Sequence, residues 1–308
     1  MSVMVEVQSL CKSYGALKAV DDVSFTVRQG EIFGFLGPNG AGKTTCLEMM
    51  EGLRRPDSGK VLIKNLSVWP DPGKIKYIIG VQFQASAFYE ELTVQEILQL
   101  FAALHGRKLA LPELDGLLEM GGLTDKRRAY TGTLSGGQKQ RLAILTALVN
   151  NPEVVFLDEP TTGLDPQARR RSWEVVKELQ NHGKTIILSS HYMEEAEYLC
   201  DRVAIIDYGN IVALDEPRKL IDKLGEKTKI SFTSNRPFDG APALLPGAEV
   251  VKAGTGEGQV LLARDPGQAI AALLEAARKE GTTIKNLQVS APNLEDVFLA
   301  LTGKELRD

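Results

Sequence analysis

A glycine-rich loop, GPNGAGKTT at 37–45, contains the residue types that best suit a polyphosphate ligand. It fits the pattern G-x-x-x-x-G-K-[ST], in which glycines allow backbone N–H groups to point at phosphate oxygens. In this pattern Lys43 reaches the terminal phosphates, and the Thr44 hydroxyl is a ligand of Mg²⁺. The sequence therefore predicts a nucleoside triphosphate site with Mg²⁺, contacted by Gly37, Pro38, Asn39, Gly40, Ala41, Gly42, Lys43, Thr44 and Thr45.

Two adjacent acidic residues, Asp158 and Glu159, directly follow the apolar run 154–157. A buried strand that ends in this way places its carboxylates at the carboxyl edge of a sheet, where the ligands of open α/β sheets bind. We predict that Asp158 holds Mg²⁺ and that Glu159 polarises the water that attacks the terminal phosphate. Without the loop at 37–45, a pair of solvated loop residues would be the preferred interpretation.

The segment LSGGQ at 134–138, referred to below as the signature, has the composition of a second phosphate clamp. Ser135 is a favoured helix N-cap, and the two glycines after it expose N–H groups at the positive end of the helix. One chain has no need of two clamps on one γ-phosphate. A capped helix without a ligand is the alternative interpretation.

The loop at 37–45, the acids at 158–159 and the signature together resemble the nucleotide-binding domain of the ATP-binding-cassette (ABC) family, over residues 1 to about 220. The resemblance implies that the chain binds and hydrolyses ATP with Mg²⁺. It also implies a head-to-tail homodimer, in which the signature of one subunit closes on ATP held by the other. The signature residues that would make this contact are Ser135, Gly136, Gly137 and Gln138.

Four further residues match positions of the ABC pattern, and the resemblance implies their roles. Tyr14 corresponds to the aromatic residue that stacks on adenine, and His191 to the switch histidine that contacts the γ-phosphate. Gln84 corresponds to the glutamine that senses Mg²⁺ and the water and couples to the membrane partner, with Gln82 as the alternative. Asp165 belongs to the loop that crosses the dimer interface. The predicted catalytic residues are thus Glu159, His191 and Gln84, and the predicted Mg²⁺ ligands are Thr44, Gln84 and Asp158.

The sequence beyond residue 221 indicates which members of the family are most similar. Its end, NLEDVFLALTG at 293–303, resembles the tail of bacterial and archaeal drug-exporter ATPases of the daunorubicin-resistance type. In that group a small accessory domain follows the cassette, and the membrane subunit is a separate chain. The alternative is an amphipathic terminal helix whose core residues recur at helical spacing, namely Leu294, Val297, Phe298 and Leu301.

The resemblance therefore implies the ATP-binding and ATP-hydrolysing subunit of an ABC exporter, which dimerises on ATP and drives transport through separate integral membrane permease subunits. Drug, antibiotic and lipid-like cargo all remain open. The alternative is a soluble ABC ATPase that acts on ribosomes or nucleic acid. Ribosome-acting members carry two cassettes, and DNA-repair members carry a long coiled-coil insert before the signature. This sequence has neither feature.

Composition and charge are typical of a globular protein, and we expect no nucleic-acid partner. The net charge is −4, so no overall basic field attracts nucleic acid. Three widely spaced cysteines do not suggest a disulfide framework. The N-terminus lacks a signal-peptide pattern, and no segment approaches the roughly 18 consecutive apolar residues that span a bilayer. We therefore expect a peripheral protein, held at the cytoplasmic face of the cell membrane by a partner.

The hydrophobic pattern predicts a β-sheet that can position these residues. The predicted strand 31–36 leads into the phosphate loop and a helix over 43–53, which is the strand–loop–helix order that the motif requires. From residue 135 onward helices and strands alternate, which predicts a mostly parallel sheet with covering helices. Strands are also predicted at 3–8 and 23–27. The predicted fold class is α/β, a phosphate-loop ATPase cassette with a mixed sheet core, an N-terminal β subdomain and a helical subdomain.

The sequence predicts two domains. Residues 1–221 form the ABC ATP-binding cassette, with the helical subdomain at about 85–150, and residues 222–308 form a small accessory α+β domain. Thr93 and Glu96 are predicted to form a capping box at the start of a helix. An apolar stretch after Gln84 is predicted to be either an exposed docking groove for a partner or a buried segment, and it comprises Ala85, Ala87, Phe88, Tyr89 and Leu92.

Overall fold

The computed structural model describes residues 2–83, 87–225, 227–235, 248–252 and 258–303. The chain consists of two compact units, residues 1–214 and residues 215–307. Both units combine helices with β-sheets, in agreement with the predicted α/β class. The domain division at 221/222 and the roles assigned to the two parts remain predictions.

An antiparallel sheet forms the N-terminal part of the first unit. Its strands are β1 (Val3–Tyr14), β2 (Leu17–Arg28), β4 (Ser58–Ile63) and β5 (Leu66–Ser67), in the order β2-β1-β4-β5. β1 and β2 extend well beyond the predicted strands at 3–8 and 23–27. Their pairing has register shifts between Val7 and Leu10 and again between Leu10 and Lys12. Such bulges interrupt the alternation of buried and exposed residues, so the apolar pattern ends before the strand does.

A six-stranded sheet lies beside it in the first unit. Its strands are β3 (Ile32–Leu36), β6 (Ile79–Gln82), β7 (Val154–Asp158), β8 (Thr185–Ser190), β9 (Arg202–Asp207) and β10 (Asn210–Asp215). The order is β10-β9-β3-β8-β7-β6, and the pairs from β9 to β6 are parallel. All residues of β3, β7 and β8 are buried, as expected for parallel strands covered on both faces. Their carboxyl ends therefore lie side by side at one edge of the sheet.

The helices described in the first unit are α1 (Lys43–Glu51), α2 (Val94–Leu104), α3 (Leu111–Met120), α4 (Gly136–Thr146), α5 (Pro166–Asn181) and α6 (Met193–Leu199). The predicted capping box at the start of α2 is confirmed. The N–H of Glu96 donates to Thr93 Oγ1 at 3.3 Å, and the N–H of Thr93 donates to Glu96 Oε2 at 2.8 Å. In the part of the chain that the structure describes, no helix has the length and apolar character needed to cross a bilayer.

The second unit contains a separate antiparallel sheet with helices. Its elements are α7 (Pro217–Asp222), β11 (Thr228–Ser234), β12 (Ala248–Lys252), β13 (Gln259–Ala263), α8 (Pro266–Glu280), β14 (Ile284–Ser290) and α9 (Leu294–Thr302). The strand order is β12-β13-β11-β14. Ile230, Phe232 and Leu261 of this sheet form a core with Leu273 of α8. This unit therefore has its own hydrophobic core.

The terminal helix α9 is amphipathic, as the alternative interpretation of its sequence requires. Leu294, Val297 and Phe298 are buried, but the prediction that Leu301 is a core residue is wrong, because its side chain is 49% exposed. Leu301 lies in the last turn of the helix. Asp296 on the same helix is also buried, and its Oδ1 lies 2.7 Å from Lys229 Nζ on β11. The apolar residues of this tail therefore have a packing role within the second unit.

Candidate active site

The phosphate loop joins β3 to α1, and neighbouring backbone holds it closely. A Cβ at Gly37 would lie 2.3 Å from the carbonyl oxygen of Ile206 on β9. Gly42 is the N-cap of α1 and has a φ of 106°, and a Cβ there would lie 2.3 Å from the carbonyl oxygen of Ala19. Glycine is therefore required at both positions, by close approach at Gly37 and also by the left-handed conformation at Gly42.

Lys43 folds back onto the phosphate loop. Its Nζ donates to the carbonyl oxygens of Gly37 at 2.7 Å and Pro38 at 3.1 Å, and it lies 3.7 Å from Glu159 Oε1. Burial lowers the pKa of Lys43, while the carboxylates of Glu159 and Asp158 act in the opposite direction. The buried ammonium group thus lies within the loop, where phosphate oxygens could replace its carbonyl acceptors.

Thr44 and Asp158, the predicted Mg²⁺ ligands, lie together as expected. Thr44 Oγ1 donates to Asp158 Oδ2 at 3.2 Å, and the Ser189 hydroxyl on β8 donates to Asp158 Oδ1. Burial raises the pKa of Asp158, and the hydrogen bonds from Ser189 and Thr44 counteract this. A hydroxyl and a carboxylate beside the phosphate loop fit Mg²⁺, which takes few protein ligands and completes its shell with phosphate oxygens and waters.

Glu159 lies between two nitrogen-bearing side chains. Its Oε1 is 3.7 Å from Lys43 Nζ, and its Oε2 is 3.4 Å from His191 Nδ1 and accepts a hydrogen bond from Thr162 Oγ1 at 3.0 Å. The backbone of Glu159 has a φ of 48°, a left-handed conformation that is uncommon for a residue with a side chain. Its N–H donates to Ser189 Oγ at 3.0 Å. The structure therefore brings Lys43, Glu159 and His191 together and holds Glu159 in a strained conformation.

The signature begins α4 as predicted, with Ser135 as the N-cap. Ser135 Oγ accepts the N–H of Gln138 at 3.3 Å, and Gln138 Oε1 accepts the N–H of Ser135 at 2.9 Å. Ser135 and Gly136 are exposed, whereas Gly137 is buried and a Cβ on it would lie 2.8 Å from the Ala168 Cβ on α5. An exposed helix N-terminus suits an anion. Its contact with the nucleotide of a second subunit remains a prediction.

Asp165, which was assigned to the interface loop, is the N-cap of α5. Its side chain accepts the N–H groups of Gln167 at 3.0 Å and Ala168 at 2.9 Å. The sequence signal for this cap is the Asp165-Pro166 pair, since proline favours the first position of a helix and aspartate the position before it. Asp165 therefore has a local structural role, and its interface role stays a prediction.

Tyr14 lies at the end of β1 with its side chain 42% exposed. The Arg54 guanidinium carbon is 5.4 Å from the centre of the ring, and Lys12 Nζ is 6.0 Å from it. An exposed aromatic ring with cationic neighbours suits a nucleotide, because the ring can stack on a base and the cations attract phosphate. The adenine-stacking role of Tyr14 remains a prediction.

The predicted glutamine switch, Gln84, lies outside the described residues, as does Ala85. The alternative, Gln82, is buried on β6, and its Nε2 donates to the carbonyl oxygen of Phe83 at 2.6 Å and to that of Asp158 at 3.5 Å. Gln82 is thus engaged with backbone groups next to the site.

The apolar stretch that follows Gln84 is partly exposed and partly packed. Tyr89 is 69% exposed, and Ala87 is exposed as well. Phe88 is half-buried, with its ring edge-on to Phe101 at 6.4 Å between centroids. The predicted exposed groove therefore fits Ala87 and Tyr89, whereas the predicted buried segment fits Phe88 in part.

Glu51 is a buried acidic residue near the site that the sequence did not single out. It lies at the end of α1 and is 7% exposed. Burial raises its pKa to about 8, and the negative charges of Asp158 and Glu48 add to this shift. A helical periodicity does not reveal such a residue, because the burial comes from elements distant in sequence.

The raised pKa of Glu51 predicts a stability that depends on pH. Between the ordinary value of 4.5 and about 8, the folded chain keeps a proton that the unfolded chain has released. The free energy of unfolding therefore falls as pH rises through this window, by on the order of a few kcal/mol. Glu51→Gln removes the titrating group, so we expect the variant to be more stable than the parent at pH 8 and similar to it near pH 4.5.

Urea unfolding of both proteins at the two pH values measures this effect. Glu153→Gln is a suitable control, because Glu153 is a half-exposed partner of Lys64 at 2.7 Å. We expect that control to show little dependence on pH. A difference between Glu51→Gln and the parent that is the same at both pH values would contradict the prediction.

Comparison with known proteins supports the same interpretation as the geometry of the candidate active site. The family model described as ABC transporter matches residues 20–162. The Nod factor export ATP-binding protein I of Ralstonia nicotianae is 40% identical over 312 residues, covering 99% of this chain and 95% of that protein. The linearmycin resistance ATP-binding protein LnrL of Bacillus subtilis is 38% identical over 311 residues, covering 99% of this chain and 100% of that protein.

Solved structures show the same fold. The ADP conformation of an ATP-binding cassette of an ABC transporter matches with a TM-score of 0.64 and 26% identity, over 71% of this chain and 93% of that one. A dimeric bacterial ABC transporter cassette matches with a TM-score of 0.62 and 28% identity, over 69% of this chain and 98% of that one. The predicted cassette fold is confirmed, and the chain belongs to the ABC transporter family as an ATP-binding subunit.

Proposed function

We propose that this chain is the ATP-hydrolysing subunit of an ABC exporter, which closes on ATP as a head-to-tail homodimer and drives transport through separate integral membrane permease subunits. The observation that carries the proposal is the meeting of five side chains at the carboxyl edge of the six-stranded sheet, namely Lys43, Thr44, Asp158, Glu159 and His191. Similarity along nearly the whole chain to a Nod factor export protein and a linearmycin resistance protein supports the exporter assignment.

Each residue of the site has a proposed task in hydrolysis. Lys43 and the N–H groups of the phosphate loop hold the β- and γ-phosphates of ATP. Thr44 and Asp158 hold Mg²⁺, which supplies positive charge to the phosphate oxygens. Glu159 accepts a hydrogen bond from the attacking water and orients it in line with the bond that breaks, while His191 contacts the γ-phosphate.

Three further tasks rest on the family resemblance. Gln84 is proposed to sense Mg²⁺ and the water and to couple the site to the permease. Tyr14 is proposed to stack on adenine, which its exposed ring supports. Asp165 is proposed to contact the second subunit through the loop before α5.

The homodimer is proposed because one chain has no need of both the phosphate loop and the signature as clamps on one γ-phosphate. The exposed N-terminus of α4, with Ser135 as its cap, supplies such a clamp to a second copy. A structural relative is described as a dimeric cassette, which supports the same arrangement. We further propose that the permease subunits hold the dimer at the cytoplasmic face of the cell membrane and that nucleic acid is not a partner.

Affinity purification from membranes tests the exporter assignment. The tagged full-length chain is expressed in its native host, membranes are solubilised in detergent, and the proteins that co-purify are identified. We expect an integral membrane permease to co-purify with the tagged chain and not with an untagged control. Co-purification of ribosomes or nucleic acid without a membrane subunit would contradict the assignment.

The second unit is expected to be dispensable for nucleotide binding. A chain that ends at Glu216 keeps the phosphate loop, Asp158, Glu159 and His191, all of which lie in the first unit. We therefore expect it to bind a fluorescent ATP analogue with the affinity of the parent. Circular dichroism checks that the shortened chain is folded, and loss of binding by a folded chain would contradict this division of labour.

A further inference from the structure

A buried carboxyl group that the predicted site does not include lies one helical turn after His191. Glu195 on α6 is 1% exposed, and its Oε1 accepts hydrogen bonds from Thr161 Oγ1 at 2.7 Å and from Trp173 Nε1 at 2.9 Å. Ser190 on β8 also hydrogen-bonds to the Glu195 carboxyl. Burial raises the pKa of this carboxyl, and the hydrogen bonds from Ser190, Thr161 and Trp173 counteract this shift. Because burying a carboxyl is costly, these hydrogen bonds are needed to keep Glu195 in this position.

The hydrogen bond from Thr161 connects α6 to the loop that carries Glu159. Thr161 lies two residues after Glu159 and is completely buried. The left-handed backbone of Glu159 is costly and persists when neighbouring contacts hold it in place. On the amino side, the N–H of Glu159 donates to Ser189 Oγ. On the carboxyl side, the Thr161 hydroxyl is fixed by Glu195, so the strained residue is held from both directions.

The same helix follows directly on His191. The ring of His191 lies 4.1 Å from that of Tyr192, and the guanidinium carbon of Arg169 on α5 lies 4.2 Å from the Tyr192 ring centre. Arg169 also attracts the Glu195 carboxylate. These contacts hold His191 two residues before α6, while Glu195 holds the loop after Glu159 against the same helix. The result is the 3.4 Å approach of His191 Nδ1 to Glu159 Oε2.

We propose that Glu195 is a positioning residue for ATP hydrolysis, a role that rests on the proposed function. Through Thr161 it keeps the loop that carries Glu159 in register with the helix that follows His191. Glu195 acts on the reaction through Glu159 and His191, whose positions it helps to fix. A shift of the water-orienting carboxylate by about 1 Å is expected to slow hydrolysis by tenfold to a hundredfold, because the water loses its alignment with the phosphate.

Two variants that each remove one hydrogen bond test this role, because the same Glu195 oxygen accepts both bonds. Thr161→Val removes the bond to the loop of Glu159, and Trp173→Phe removes the bond to α5 but keeps an aromatic ring. We expect Thr161→Val to lower kcat for ATP by at least about tenfold with an unchanged Kd for ATP. We expect Trp173→Phe and the conservative Thr161→Ser to keep most of the parent kcat, although Trp173→Phe also lowers the melting temperature.

Substitutions of Glu195 itself complete the test. Glu195→Gln keeps an acceptor oxygen on a side chain of the same size, so we expect it to retain most of the parent kcat. Glu195→Ala is expected to match Thr161→Val in kcat. If Glu195→Ala does not fold, Thr161→Val still decides the question, since it leaves the carboxyl in place.

The outcomes separate this inference from the proposed function. A merely structural role for Glu195 predicts that Thr161→Val and Trp173→Phe reduce activity only in proportion to their loss of stability. Equal kcat values for the two folded variants would therefore overturn the positioning role. If the parent hydrolyses ATP and Thr161→Val does so at the same rate, only the positioning role is lost. If the parent chain with its permease hydrolyses no ATP, the proposed function fails and the inference fails with it.

Discussion

Glu159→Gln is expected to bind ATP as tightly as the parent and to hydrolyse it at least about a hundredfold more slowly. The amide has the shape of the carboxylate and can still accept the hydrogen bond from Thr162 Oγ1. It cannot draw a proton from the attacking water, and it no longer carries a charge beside Lys43 Nζ. Binding therefore persists while the chemical step slows. ATP should accumulate in a closed dimer that the parent forms only briefly.

Phosphate release and size-exclusion chromatography with ATP and Mg²⁺ measure these two effects. Glu153→Gln is the control. Glu153 directly precedes β7, and Glu159 directly follows it. The carboxylate of Glu153 is half-exposed and pairs with Lys64. We expect the control to turn over ATP at the parent rate and to show no trapped dimer. Equal turnover by Glu159→Gln and the parent would exclude Glu159 as the residue that activates the water.

Ser135→Arg and Lys43→Ala are each expected to be inactive alone and to recover activity when mixed. In a head-to-tail dimer, a mixed pair has one site with both substitutions and one site with neither. Random pairing of equal amounts therefore restores at most about a quarter of the parent activity. Ser135 is exposed at the start of α4, so the arginine side chain extends into the proposed interface and does not enter the core of its own subunit.

The mixing experiment needs a control for the helix itself, because Ser135 also accepts the N–H of Gln138. Ser135→Thr keeps the cap and is expected to retain activity, whereas loss of the cap costs about 1 kcal/mol of stability. Melting temperatures of all variants show whether the helix is intact. Absence of activity in folded mixtures at every ratio would argue against a site shared between two subunits.

Local features of the sequence were sufficient to predict the framework of the site. The phosphate loop follows an apolar strand and precedes a helix, and both Ser135 and Thr93 are N-caps whose partners lie three residues further on. The buried strands β7 and β8 contain the short apolar runs 154–157 and 186–188, which are typical of parallel strands covered on both faces. In each case the residues that determine the structure are adjacent in sequence, so the pattern can be read directly.

The contacts that hold the site in place could not be predicted in this way. Glu195, Thr161 and Trp173 belong to three different segments, and only the packing of α5 and α6 brings them together. The left-handed conformation of Glu159 leaves no sign in the residue type, since glutamate rarely adopts it. The full length of β1 was missed for a related reason, because bulges change which residues face the core without ending the strand.

The capping box at the start of α4 determines which kinds of ion the signature can attract. Since the Ser135 oxygen already accepts the N–H of Gln138, its own hydrogen has to point away from the helix. The Gln138 carbonyl oxygen is likewise occupied by the N–H of Ser135, which leaves its NH₂ group to face outward. One acceptor site on each of these two oxygens is therefore occupied, while the free N–H groups of the first turn remain available as donors. Such a surface has more hydrogen-bond donors than free acceptors, so it favours phosphate oxygens over metal ions and ammonium groups.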